Sequence, residues 1–460
     1  MKKHQRITSL IIILILLCSF SCTSYAENEN KKVNNSSETS QETPEKNTIE
    51  AKSPHAVLMD LKTGSIIYEK NSSDAVYPAG LTNIMTAVLV LENSNMEELA
   101  TASETALSNV LPGDNKMGIL KEEKLSVRQL VYGMLLESAS DAANVLAEKT
   151  AGSIEAFVNM MNARAKELGM EKTSFTNPAG NHDDRHYTTP MDMAILAKHA
   201  MSIPEFCDIV KCDSYTIPPT EKNPNSRKLT NRNHLVSRLI RNDYYYANAT
   251  GLKTGYSAEA KSCVAASAQK GSMSLLALVF EADTSNNVLQ SYDDCRKMFD
   301  FVFSNYVSQT IVSEGDIVAQ TNIINTRRDN KIILTAERPL SVIREKDSEP
   351  VEVTYKDFVK KSVSAPVKKG EKIGTREYFV NGQSIGTLNL LAEKNYKLDP
   401  VTFFINKLKA FFTSPWLYAV IVLLIIFFIL AERRRRRILR KKRRDARKKR
   451  NLELIHSINR

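Results

Sequence analysis

The chain has 460 residues, of which 42% are hydrophobic and 25% charged. This ordinary globular composition excludes a wholly disordered, collagen-like or multi-span membrane protein. The formal net charge of +11 divides into +12 in residues 432–460, +3 in residues 1–26 and −4 in residues 27–431, so the body is mildly acidic and general nucleic-acid binding is excluded.

Residues 1–26 read as a cleavable secretory signal: Lys2, Lys3 and Arg6, then apolar Leu10 to Phe20, then Ser24-Tyr25-Ala26. The apolar run is short for a first membrane span. Residues 27–50 are mostly Asn, Glu, Ser, Thr and Lys with no aromatic residue, and read as a disordered linker. Folded sequence begins near Ala51. His55–Asp60 and Ser65–Glu69 read as a β-hairpin turning at Lys62-Thr63-Gly64. A helix is expected over about 80–92. Ser126 with Gln129 three residues on forms a capping box for a helix to about Leu136. Further helices are expected over 141–149, closed near Gly152, over 154–168, and over 190–201 behind Thr189-Pro190. Strand patterns return at 261–282, and a last helix is expected at about 285–306. Strands, then helices, then strands indicate an α+β domain with helices packed on an antiparallel sheet.

From 307 to 397 short alternating segments separated by turn residues read as a separate β-rich domain. Residues 398–410 form an amphipathic linker: Phe403, Phe404 and Leu408, with Phe411 and Phe412 just beyond, lie among Lys407 and Lys409. Residues 411–431 are long and apolar enough to span a bilayer, with Trp416 and Tyr418 suited to the outer interface. The basic run from Arg433 onward predicts a single pass with the folded domains outside and residues 432–460 as a cytoplasmic tail. That tail either serves only as a stop-transfer anchor or also attracts anionic lipid headgroups or a partner. Outside the signal, Cys207, Cys212, Cys263 and Cys295 match no zinc spacing; a Cys207–Cys212 disulfide and unpaired thiols both stay open.

Five segments together resemble one family. They are Tyr77-Pro78-Ala79-Gly80-Leu81-Thr82-Asn83-Ile84-Met85-Thr86, Leu135-Leu136-Glu137-Ser138-Ala139-Ser140-Asp141, Ser174-Phe175-Thr176-Asn177-Pro178-Ala179-Gly180, His186-Tyr187-Thr188-Thr189, and Gly251-Leu252-Lys253-Thr254-Gly255-Tyr256. In order and spacing, over roughly 51–300, they are similar to the serine D-alanyl-D-alanine carboxypeptidases. These are the low-molecular-mass penicillin-binding proteins, relatives of class A β-lactamases. The resemblance implies a β-lactamase/transpeptidase-like domain over 51–306 and chemistry on peptidoglycan stem peptides without cofactor or metal.

In that family a serine attacks, and a lysine three residues on takes its proton from the same helix face. A Ser-x-Asn motif completes the proton network. A Lys-Thr-Gly strand offers backbone pairing and a cation for the substrate carboxylate. Here the serine position reads Gly80, the lysine position Asn83, and the asparagine position Ser140. Glycine has no nucleophile, and an amide is no base near pH 7. No Ser-x-x-Lys occurs between 71 and 92. The expected reading is a pseudoenzyme whose retained binding residues are Ser138, Lys253, Thr254 and Gly255. Its ligand would be a wall peptide or a wall-synthesis protein. Two alternatives stay open: an active carboxypeptidase using unrecognised residues, and a scaffold whose cleft is empty. Ser140 also reads as a helix N-cap, Lys253–Gly255 as inherited structure, and His182-Asp183-Asp184-Arg185-His186 as a polar loop rather than a metal cluster.

Overall fold

The computed structural model describes residues 49–284 and 289–458; the expected signal and all of the linker before Ile49 lie outside the described residues. The first elements are β1 (His55–Asp60), β2 (Ile66–Lys70), a 3-10 turn (Ala79–Thr82), α1 (Asn83–Asn93), β3 (Leu99–Thr101), α2 (Glu104–Ser108) and β4 (Lys124–Ser126). Then come α3 (Val127–Glu137), α4 (Ser140–Ala151), α5 (Ile154–Leu168), α6 (Pro190–Ala200), α7 (Pro204–Val210), β5 (Ser214–Ile217) and β6 (Arg227–Thr230). β7 (Ala249–Ser257), β8 (Lys261–Lys270), β9 (Met273–Ala282) and α8 (Gln290–Asn305) follow.

Five of these strands make one antiparallel sheet in the order β2-β1-β9-β8-β7. Side chains alternate across a strand, and here both faces are covered. Ala56, Leu58, Val264, Ala266, Ala277 and Val279 pack against Cys295, Met298 and Phe299 of α8. Val57, Met59, Ala265, Leu276, Leu278 and Phe280 pack against the helices on the other side. This double burial explains the unbroken apolar run Leu275–Phe280, which an exposed face would interrupt. The hairpin between β1 and β2 turns where the sequence indicates: Gly64 has φ +82°, and the Asp60 carboxylate accepts Thr63 Oγ1 at 2.8 Å.

Local signals set the helix ends. Ser126 Oγ accepts from Gln129 N at 3.2 Å and Gln129 Oε1 from Ser126 N at 2.9 Å, the expected capping box. Gly152 and Gly169 close α4 and α5 in the left-handed region. The expected N-cap at Ser140 is corrected. Ala139 is the N-cap, Ser140 is the first helical residue, and no side chain caps this end. Ser138 ends α3 at φ +56°, so the extended residue needed to start α4 falls one position later, at Ala139. Asp141 in the first turn instead accepts from Met117 N at 3.1 Å and Ile119 N at 3.0 Å.

The β-rich part comprises β10 (Tyr306–Val312), β11 (Ile317–Ile324), β12 (Lys331–Ala336), β13 (Leu340–Glu345), β14 (Val353–Val359), β15 (Ser362–Ser364), β16 (Lys372–Val380) and β17 (Gln383–Ala392). Six of its strands form a sheet in the order β14-β16-β17-β12-β11-β15, and β10 pairs with β13. Two small apolar clusters, around Leu334 and Leu390 and around Leu340 and Leu388, make its core. The chain ends in α9 (Pro400–Phe412) and α10 (Pro415–Ile458). The apolar helix thus starts at Pro415, not at Phe411: Thr413 caps α9, and Phe411 and Phe412 belong to that helix. Pro415 cannot donate to a preceding turn, so the two helices stay distinct. α10 is one helix long and apolar enough to cross a membrane, and none of its apolar window is buried.

Candidate functional site

β7 is an edge of the five-stranded sheet and lies along the 3-10 turn that precedes α1. A cleft of about 470 Å³ opens between them, lined by Gly80, Ser138, Ser140, Thr254 and Gly255, with Asp114, Asn181 and Arg232 on its walls. Three of the seven residues singled out from sequence are buried in or near it, Asn83 at 1%, Lys253 at 2% and Ser140 at 5% exposure, and Asp141 beside Ser140 is buried at 2%. Lys253 does not line the cavity; it sits beneath Ser138.

Gly80 and Gly255 meet back to back. A Cβ on Gly80 would lie 2.8 Å from Thr254 O and 3.5 Å from Ser138 Oγ, and a Cβ on Gly255 would lie 2.7 Å from Gly80 N. Backbone therefore crowds the place a Cβ at residue 80 would take, and something must shift to admit it. The preceding Ala79 has φ +45°, an uncommon conformation for a residue with a Cβ. Asn83 points away to the loop at 176–181: its Nδ2 donates to Pro178 O at 3.3 Å and Ala179 O at 3.2 Å, while Oδ1 has no partner among the described residues. Thr86 Oγ1 donates to Pro178 O at 2.7 Å. Gly180, at φ +89°, completes this contact, since a Cβ there would overlap Ala79 O.

Lys253 Nζ donates to Ser138 Oγ and to Thr254 O, the latter at 3.2 Å. Burial lowers its amine to about 7, helped by the nearby Arg232 charge and opposed by Glu137. Arg232 Nε donates to Glu137 Oε2 at 3.2 Å. Ser140 N donates to Asn115 O at 2.8 Å, which ties the loop on one wall of the cleft to α4.

The segment at 182–186 is built around a buried histidine. Thr176 N donates to His186 Nδ1 at 3.1 Å, so Nε2 carries the proton and donates to Thr82 Oγ1 at 2.9 Å. Burial depresses this imidazole to about 4. Asp183 pairs with Arg185 at 2.9 Å, and among the described residues no three potential ligands converge on a metal site. Cys207, Cys212, Cys263 and Cys295 are free thiols. Sequence reasoning missed Asp114, Asn181, Arg232 and Tyr292 as cleft residues. They come from four separate segments, and only the fold brings them together.

A helical layer packed on a five-stranded antiparallel sheet, with a cleft along its Lys-Thr-Gly edge strand, defines the penicillin-binding protein class. Residues 38–284 match the model of the D-alanyl-D-alanine carboxypeptidase family, and residues 306–398 match the penicillin-binding protein 5 C-terminal domain. The chain belongs to the D-alanyl-D-alanine carboxypeptidase family. It is 32% identical over 401 residues to D-alanyl-D-alanine carboxypeptidase DacF of Bacillus subtilis, covering 85% of this chain and 95% of the relative. It is 29% identical over 363 residues to DacC of Escherichia coli, covering 76% and 86%. Among solved structures, penicillin binding protein 5 of Haemophilus influenzae superposes with a TM-score of 0.57 at 27% identity, covering 76% of this chain and 98% of that one.

Proposed function

We propose that this protein is a membrane-anchored carboxypeptidase homologue that binds the end of a wall stem peptide, or a wall-synthesis protein, without cleaving it. The observation that carries the reading is Gly80. It has no side chain, and the carbonyl of Thr254 stands 2.8 Å from where a Cβ would be. Loss of the nucleophile in a serine protease costs about 10⁶ in rate, and here the base position is also the amide Asn83. The binding elements remain. β7 is an unpaired edge that an extended peptide can join, and Lys253-Thr254-Gly255 lies on it.

The apolar α10 supports anchoring, and its basic continuation supports a cytoplasmic tail against anionic lipid headgroups, with the folded domains outside. Incubation of the full chain in detergent with a fluorescent penicillin, followed by intact-mass analysis, tests the reading. A relative with Ser-x-x-Lys serves as the positive control. No adduct is expected, while a muropeptide binds and Lys253→Ala weakens that binding at least tenfold. An adduct at any residue overturns the inactive assignment.

One observation favours a second reading, an enzyme working through other residues. Lys253 Nζ contacts Ser138 Oγ, and its amine lies near 7, so a serine–lysine pair persists in the cleft. An acyl adduct mapped to Ser138 would establish it.

A further inference from the structure

The end of the β-rich part beside α9 carries two charges that the reading above leaves without a task. β11 and β12 are joined by the turn Asn325-Thr326-Arg327-Arg328-Asp329-Asn330. Asn325 is buried there at φ +67°, and Thr326 Oγ1 donates to Asp329 O, which closes the turn. Arg327 and Arg328 are exposed, and neither pairs with a carboxylate among the described residues. The carboxylates nearby are committed elsewhere. Asp329 Oδ1 accepts from Lys394 Nζ at 3.2 Å, and Asp399 Oδ2 accepts from Thr402 N at 3.0 Å.

This turn is fastened to α9. Asp399 N donates to Asn325 O at 2.7 Å, and Asn406 Nδ2 donates to Asn325 Oδ1 at 3.0 Å. Asn325 Nδ2 in turn donates to Ser364 Oγ at 2.8 Å, so the helix is held to the sheet and not only to a loop. Asn406 marks the face of α9 that meets the turn. Val401, Phe404 and Leu408 lie on the other side of the helix and are exposed. α10 begins at Pro415, directly after Thr413 and Ser414, so a membrane-spanning α10 brings this end of the β-rich part to the bilayer surface. A helix is about 10 Å across, so a turn resting on the back of an interfacial helix is within arginine reach of lipid headgroups.

We propose that the turn at 325–330 is a binding site for anionic phosphodiester headgroups of the lipids on the outer face, with Arg327 and Arg328 as the contacts. This inference rests on the anchored reading and adds a lipid site on the β-rich part, remote from the basic tail. A guanidinium presents a planar fork of donors that matches a phosphate, and it keeps its charge at any physiological pH. The apolar side of α9 supplies the insertion, and the two arginines supply the preference for negative charge; alone they would hold the chain too weakly to retain it. Together they fix which end of the β-rich part meets the bilayer.

Co-sedimentation with vesicles tests the site on a chain ending at Ser414. α10 buries none of its apolar window against the rest, so its removal costs no core packing. At low salt this chain is expected to partition about ten- to thirtyfold more strongly into equimolar phosphatidylcholine and phosphatidylglycerol than into phosphatidylcholine alone, at about fivefold per arginine. High salt should remove most of that preference. Arg327→Gln with Arg328→Gln should abolish most of it, Arg327→Lys with Arg328→Lys should retain it, and Lys166→Gln with Lys211→Gln, an equal loss of charge on the helical layer, should change it little. Equal partition of the parent into both vesicles, or equal losses in the arginine and lysine variants, overturns the inference. The full chain reconstituted in the mixed vesicles is washed with alkaline carbonate in parallel. Release overturns the anchored reading and this inference with it, whereas retention together with equal partition of the shorter chain overturns this inference alone.

Discussion

At the scale of single residues, Gly80 is held by sterics as well as by chemistry. A methyl group there would press on the Thr254 carbonyl at 2.8 Å, and backbone yields less readily than a side-chain tip. Gly80→Ala is therefore expected to destabilise by about 1–3 kcal/mol, the usual cost of overpacking, read as a lower melting temperature. An unchanged melting temperature would show that β7 moves aside freely. The same geometry bears on installing a serine and a lysine at these two positions. Gly80→Ser with Asn83→Lys should label poorly with penicillin unless β7 shifts, and efficient labelling would mean the cleft is still competent. His186 gives a pH prediction. Its folded value of about 4 lies below the ordinary 6.5, so the unfolded chain holds the extra proton between those values. Stability from this group is complete above pH 6.5 and is lost as pH falls toward 4, by about 3 kcal/mol in all. Urea unfolding at pH 7 and 4.5 should show a difference that shrinks in His186→Gln; an equal difference in both proteins would remove His186 from the account.

At the scale of elements, the cleft depends on loops pinned from behind. The fully buried Glu123 carboxylate takes both oxygens to Arg227 Nη2 at 2.7 Å and one to Thr220 Oγ1 at 2.6 Å, so the stretch before β4 is tied to the hairpin of β5 and β6. Arg227→Met would leave that carboxylate buried beside only neutral partners. The expected loss is about 3 kcal/mol in chemical unfolding, the cost of breaking a buried pair from one side. A loss below 1 kcal/mol would mean that water reaches Glu123. The loop at 176–181 works in the same way from the opposite side. Asn177 Oδ1 accepts from Gly180 N at 2.7 Å and Asn181 N at 2.9 Å, which shapes the turn that receives Asn83 and Thr86.

At the scale of the whole molecule, two adjoining helices expose different kinds of apolar surface. α10 is continuous from Pro415 to Ile458 and carries the basic run directly out of its apolar stretch. α9 exposes Val401, Phe404, Leu408, Phe411 and Phe412 next to Lys407 and Lys409, a face suited to lying in an interface. Truncation after Ser414 should convert detergent-requiring membrane association into weak, reversible binding to vesicles, followed by co-sedimentation. Truncation after Asp399 should abolish that residual binding. If both truncations stay firmly bound, the anchor lies elsewhere in the chain.

Much of this architecture is legible in the linear chain because it rests on local rules. The capping box at Ser126 and Gln129, Pro190 behind Thr189, the glycines after α4 and α5, and the apolar run of α10 each need only neighbours in sequence. The absence of a hydroxyl at residue 80 is equally a matter of sequence. Tertiary structure alone decided the rest. β7 shows no alternating pattern because its two glycines carry no side chains; the resemblance alone implied a strand at Lys253-Thr254-Gly255, and pairing with β8 forms it. Ser140 lost its capping role because Ser138 turned left-handed one step earlier. Asp114, Asn181 and Arg232 share a cleft although the chain separates them widely, because the segments that carry them close over the β7 edge of the sheet. Lys253 owes its depressed amine to that same burial, which depends on the packing around it and not on the residues beside it in sequence.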